Sequence, residues 1–163
     1  MKKILTVHFS QSGQLTDIVT NFSKGIQNAH FDHIKISPKN KFPFPWTNDV
    51  FFDTMPDTVL ENKIELDPID YQFQHYDLII IAYQPWFLSP SLPITALLKD
   101  EKFQELLKNT NVITLIGSRN MWLNAQESVK KLIHSAGGKL VGNIPLIDKA
   151  PNLLSVVSIL HWM

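Results

Sequence analysis

Leu78-Ile79-Ile80-Ile81-Ala82-Tyr83 carries six consecutive residues without a charge. A strand with one wet face alternates apolar and polar residues, whereas a run apolar at every position has both faces covered, as at the centre of a parallel sheet. Upstream, Ile4 to Phe9 is a second apolar run of strand length, after which Leu15, Ile18, Val19, Phe22 and Ile26 recur at helical spacing. That order predicts a strand, a loop and a helix. A weaker strand follows around His33 to Ile36. Pro38 to about Asp70 is rich in proline and aromatics and predicts an irregular excursion with a short helix after Thr47.

Downstream, Pro93 sits where a first helical turn tolerates it, and Ile94, Leu97, Leu98, Phe103, Leu106 and Leu107 form an apolar face expected to break near Asp100. Val112 to Ile116 gives another buried strand. Trp122, Ala125, Val129, Leu132, Ile133 and Ala136 then stripe a helix that Gly137-Gly138 terminates, and Leu140 to Ile147 supplies a fifth strand. From Asn152 onward the periodicity predicts a last helix. Alternating strands and helices with short connections imply right-handed crossovers, so the expected fold is an α/β doubly wound five-stranded parallel sheet of order 2-1-3-4-5 with helices on both faces.

Composition bounds the chemistry. The 163 residues suit a single domain spanning 1–163, with 44% hydrophobic and 18% charged residues, which excludes a disordered chain. Fifteen basic and fifteen acidic side chains cancel, so no long-range field favours nucleic acid or an anionic membrane. There are no cysteines, which removes disulfides, thiolate-bound metal and thiol nucleophiles. The six histidines show no ligand spacing and no metal is expected. No segment is long enough to span a bilayer and the first residues do not read as a secretory signal, so we expect a cytoplasmic protein. Leu153 to Met163 is apolar on almost every side. A helix ending in a free carboxylate at Trp162-Met163 suits neither burial nor the helix dipole, so we expect the chain to be a fragment of a longer one, able to form a homo-oligomer through Leu153, Val157, Leu160 and Trp162.

In an open parallel sheet ligands bind beyond the carboxyl ends of the strands, at the point where the strand order reverses. The first loop there is Ser10-Gln11-Ser12-Gly13-Gln14-Leu15-Thr16. Two hydroxyls, a glycine and the free N–H groups of a helix start form a concave phosphate site without needing a Lys or Arg. The same residues also suit a plain helix cap and turn. The next loops, Gln84-Pro85-Trp86-Phe87-Leu88-Ser89-Pro90 and Gly117-Ser118-Arg119-Asn120-Met121-Trp122, bring aromatic residues to the same end. A receiver domain would need acidic residues where Ser10 and Gln84 stand, and a dinucleotide-binding domain would need G-x-G-x-x-G where only Gly13 is present.

These three loops together resemble the phosphate and ring loops of the flavodoxin family, over nearly the whole chain. The resemblance implies FMN, with Ser10, Ser12, Gly13, Gln14 and Leu15 around the phosphate and Pro85, Trp86, Phe87, Gly117, Asn120 and Trp122 framing the ring. The family's loop has a Thr where this chain has Leu15, which removes one hydroxyl bond that Thr16 would have to replace. Phe-Pro-Phe-Pro-Trp at 42–46, the segment 82–91 and Ile-Gly-Ser-Arg-Asn-Met-Trp at 116–122 are similar to bacterial proteins labelled dialkylresorcinol condensing enzymes. Condensation of the ketosynthase kind uses a cysteine this chain lacks, so that resemblance implies an accessory to the pathway. Three functions follow as expectations: an FMN-dependent oxidoreductase using a small-molecule electron donor and acceptor such as NAD(P)H and a quinone or flavin; an electron-carrier flavodoxin; or a scaffold that has lost flavin. Neutral net charge disfavours the carrier, which would show an acidic docking face.

Overall fold

The computed structural model describes residues 1–147. Strands β1 (Lys2–His8), β2 (Ala29–Lys35), β3 (Leu78–Tyr83), a two-residue pair β4 (Pro85–Trp86) and β5 (Ser89–Pro90), β6 (Asn111–Ser118) and β7 (Lys139–Ile147) are joined by helices α1 (Gln14–Lys24), α2 (Asn48–Val59), α3 (Leu92–Leu98), α4 (Glu101–Leu107) and α5 (Leu123–Ser135). The main sheet runs β2-β1-β3-β6-β7, with every pair parallel. Numbered within that sheet alone, this is the expected 2-1-3-4-5. The order reverses at β1, so α1 leaves toward one face and the chain after β3 toward the other.

Two apolar layers sandwich the sheet. One packs Ile4, Leu15, Val19, Ile80, Ala82 and Leu115, and the other joins Leu5, Val7, Ile79, Ile81 and Tyr83 to Leu97, Phe103, Val129 and Ile133. Successive β3 residues divide between the two, which is why the sequence showed no polar alternation there. Helix breaks follow local chemistry. The Asp100 carboxylate accepts the Phe103 N–H at 2.9 Å and starts α4 after α3 has ended at Leu98. α5 ends as expected: Gly137 has φ 81°, and the Gly138 N–H donates to the Ile133 carbonyl at 2.9 Å.

Three features differ from the sequence reading. β2 begins four residues before the expected His33, because an edge strand with His30, Asp32 and His33 lacks an apolar signature. The helix after Thr47 is twelve residues long and continues through Pro56. The hairpin β4–β5 was not foreseen, because two-residue strands have no period to read. The last helix expected from Asn152, and the apolar surface assigned to it, lie outside the described residues.

The excursion is tied to β2 by a buried carboxylate. Asp32 is 3% exposed and accepts the Gln72 N–H at 2.9 Å together with the Tyr76 hydroxyl. Tyr76→Phe leaves that carboxylate one donor short, and hydrogen bonds to charged groups are worth about 1.5 to 3 kcal/mol. A loss of that size in urea-unfolding stability, with the fold retained, is the expected outcome.

Candidate functional site

The first loop leaves the carboxyl end of β1 and enters α1 through Gly13, whose φ of 92° is a left-handed conformation that favours glycine. A Cβ built there would meet nothing within 4 Å, so the loop is open on that side. The loop's own hydroxyls occupy the N–H groups of the helix start: Leu15 N–H donates to Ser10 Oγ at 3.2 Å and Gln14 N–H to Ser12 Oγ at 3.4 Å. Both bonds are long. An anion offers these N–H groups a stronger acceptor, and the displaced hydroxyls can turn to donate to it. Leu15 itself is fully buried in the α1-side core, so only its backbone faces the loop.

Thr16 does not supply the hydroxyl that Leu15 lacks. Its Oγ1 lies 2.9 Å from Nε2 of His8, beneath the first turn of α1. His8 is 4% exposed, its Nδ1 has no hydrogen-bond partner, and burial together with Lys35 and His33 nearby lowers its pKa to about 4. The tautomer with its proton on Nε2 suits this setting, because it leaves a lone pair and not an N–H unpaired in the core.

Gly117 brings the loops together: a Cβ there would stand 3.4 Å from Leu15 Cδ1 and 3.8 Å from Gln84 Cγ. Beside this junction a cavity of about 450 Å³ is lined by Gln14, Gln84, Gly117, Ser118 and Arg119 and closed by Ile18, Leu146 and Ile147. A second cleft of about 280 Å³ lies between the tip of the β4–β5 hairpin and the following loop, walled by Leu88, Met121, Trp122 and Leu123 with the amides of Asn120 and Asn124. No charged side chain lines it. A larger cavity of about 690 Å³ sits under the excursion, lined largely by residues 63–71. Its lysines are already engaged, Lys39 by Glu65 at 2.8 Å, Lys63 by the Lys99 carbonyl at 3.4 Å and Lys102 by the Ile69 carbonyl at 3.1 Å, so the loops are the better candidate.

Of the residues expected around a ring, Asn120 and Trp122 line the second cleft and Gly117 the first. Trp86 lines neither. It is 8% exposed, with Phe9, Phe42 and Trp46 set edge-on around it at centroid distances of 5.7, 5.1 and 5.0 Å. Phe87 packs on Phe51 at 4.8 Å. Pro85 is half-buried and pairs with Pro90. The segment 42–46 thus covers Trp86, and Gln11 fastens it to the first loop by donating to the Pro43 carbonyl.

Sequence reasoning passed over Leu88. Phe87 and Leu88 have φ of 48° and 68°, the backbone signs of the two-residue turn that normally takes Asn-Gly. Left-handed backbone costs an ordinary residue roughly 1 to 2 kcal/mol. Phe87 recovers that cost through its contact with Phe51, whereas Leu88 is 44% exposed. Leu88 instead lines the second cleft.

Solved structures share this architecture. A flavoprotein from Lactobacillus acidophilus NCFM, determined in complex with FMN, aligns with a TM-score of 0.65 and 25% identity over 89% of this chain and 93% of its own. A flavodoxin from the domain Archaea aligns with a TM-score of 0.55 and 14% identity over 96% of this chain and 92% of its own. A Fusobacterium nucleatum flavodoxin variant bound to flavin mononucleotide gives 0.55 and 12%, covering 99% and 93%. No protein-family model and no curated protein matches the chain. The fold is flavodoxin-like.

Two outcomes follow from this geometry. His8 titrates near 4 when folded against about 6.5 when unfolded, so the unfolded chain binds the extra proton first. Its contribution to stability is complete above pH 6.5 and is lost as pH falls toward 4, by on the order of 3 kcal/mol. The difference in unfolding free energy between parent and His8→Gln should carry that slope. Leu88→Asn places a residue tolerant of left-handed backbone at the hairpin tip and should raise stability by about 1 kcal/mol in the same assay.

Proposed function

We propose that this chain binds FMN in its strand-end loops and acts as an oxidoreductase domain, passing electrons between a small-molecule donor, NAD(P)H, and a quinone or flavin acceptor. The observation that carries the reading is the first loop. A left-handed glycine, two hydroxyls and the N–H groups of Gln14 and Leu15 converge where a helix start meets the end of β1. That donor set fits a phosphate ester without a basic side chain. The uncharged cleft between the β4–β5 hairpin tip and the loop after β6, with Trp122 and Leu88 as walls and the Asn120 amide among its polar groups, fits a flat heteroaromatic ring. The Lactobacillus flavoprotein, determined in complex with FMN and aligned over 89% of this chain, adds support.

FMN, when bound, supplies the electron chemistry itself. The protein's contribution is to bind and orient it. Ser10 and Ser12 would turn their hydroxyls from the backbone N–H groups toward the phosphate, and Gly13 would leave the approach clear. Leu88, Met121 and Trp122 would exclude water from the ring, while Trp86 and Phe87 stiffen the hairpin from behind. The finer likeness to dialkylresorcinol-associated proteins fits an accessory reductase in such a pathway. An electron carrier would use the same site with a protein partner, and consumption of NAD(P)H with a quinone separates the two.

Titration of FMN into flavin-free protein tests the reading. Trp122 emission should be quenched, riboflavin should bind more weakly than FMN, and Gly13→Asp should abolish the phosphate advantage by placing a negative charge in the loop. Leu88→Asn should bind both flavins less tightly despite its greater stability. Unchanged tryptophan emission up to millimolar FMN would leave the scaffold reading in place.

A further inference from the structure

The α1 face of β1, continued into the loop that follows it, carries hydrogen-bonding side chains at three alternate positions. Thr6 meets His33 Nδ1 at 2.6 Å, His8 meets Thr16 at 2.9 Å, and Ser10 accepts the Leu15 N–H. Thr6, His8 and Ser10 are each less than 5% exposed. A buried imidazole with one nitrogen unpaired is an expensive way to fill this layer, since an apolar side chain would pack there without desolvation. The surviving bond of that imidazole reaches the first turn of α1, the turn whose N–H groups form the loop. That turn has no side-chain cap from Gly13, and its two hydroxyl contacts to Ser10 and Ser12 are long. Among the described residues, the His8–Thr16 contact at 2.9 Å is therefore the shortest polar tie between the sheet and the helix start.

We propose that His8 is a positioning residue for the phosphate loop, acting through Thr16 to hold the N–H groups of Gln14 and Leu15 at the angle that receives a phosphate ester. The groups facing His8 are Thr16 on α1 and Lys35 and His33 on β2; burial first, and then the neighbouring Lys35 charge, disfavour protonation of the ring. A neutral imidazole keeps the strut in place across ordinary pH. The same strut explains the direction of Thr16, whose hydroxyl is held by His8 beneath the helix.

The inference rests on the FMN reading for its ligand, and the test separates the two. Thr16→Val removes the partner from a half-buried helix position, and Thr16→Ser keeps the hydroxyl. Thr16→Val and His8→Leu should each weaken FMN about five- to tenfold while changing riboflavin less than about twofold, and the double variant should lose no more than either alone. Thr16→Ser should behave as the parent. In flavin-free protein, hydrogen exchange at the Gln14 and Leu15 amides should quicken in Thr16→Val and not in Thr16→Ser, at equal global stability. Equal loss of FMN and riboflavin, additive effects, or unchanged exchange at those amides would each overturn the proposal. If the parent binds neither flavin the FMN reading fails, and the exchange measurement still decides the role of His8.

Discussion

β1 is hydrogen-bonded along both edges, to β2 on one side and β3 on the other, and the rest of the molecule follows from that position. A parallel strand cannot turn directly into its neighbour, so each pairing demands a crossover, and right-handed crossovers to opposite sides of β1 put their helices on opposite faces. The loops leaving β1 and β3 consequently part at the strand ends. A crevice opens there because no crossover covers it. Gly117 brings the third wall, and its missing side chain lets β6 end within van der Waals reach of Leu15 and Gln84.

The two faces of β1 do different work. Toward the larger core, Leu5, Val7 and Phe9 are apolar, and Phe9 continues into the aromatic group around Trp86. Toward α1, Thr6, His8 and Ser10 carry polar groups into a layer otherwise made of Ile4, Leu15, Val19 and Ile80. Strand periodicity alone sends alternate residues to opposite faces, so a stability face and a face that supports the loop are written into one segment. The uncharged cleft lies apart from this polar support, between the β4–β5 hairpin tip and the loop after β6.

The aromatic excursion stands in a third relation to the site. Phe42 and Trp46 enclose Trp86, Gln11 holds Pro43 from the first loop, and Asp32 anchors the far end of the excursion through Gln72 and Tyr76. The segment thus acts as a cover over the hairpin base. It leaves the hairpin tip, with Leu88, as the part that faces outward.

The sequence by itself determined the architecture. The uninterrupted apolar run at 78–83 required a strand covered on both faces, the helical spacing after Gly13 and Trp122 required crossovers, and the turn residues at Asp100 and Gly137-Gly138 marked where helices start and stop. These are local signals, written in spacing and in the backbone preferences of single residues. It also put Ser10, Ser12 and Gly13 in the loop after β1 and Asn120 in the loop after β6, whereas Gly117 proved to be the penultimate residue of β6 itself. Only the tertiary structure decided where side chains of identical type would point. Trp86 and Trp122 are both loop tryptophans in the sequence, yet three aromatic edges bury the first while the second lines a cleft. Leu88 gained its position from a two-residue turn too short to have a period, and Thr16 turned to a histidine eight residues earlier. Such choices depend on contacts between residues distant in the chain or hidden from its periodicity, and packing settles them.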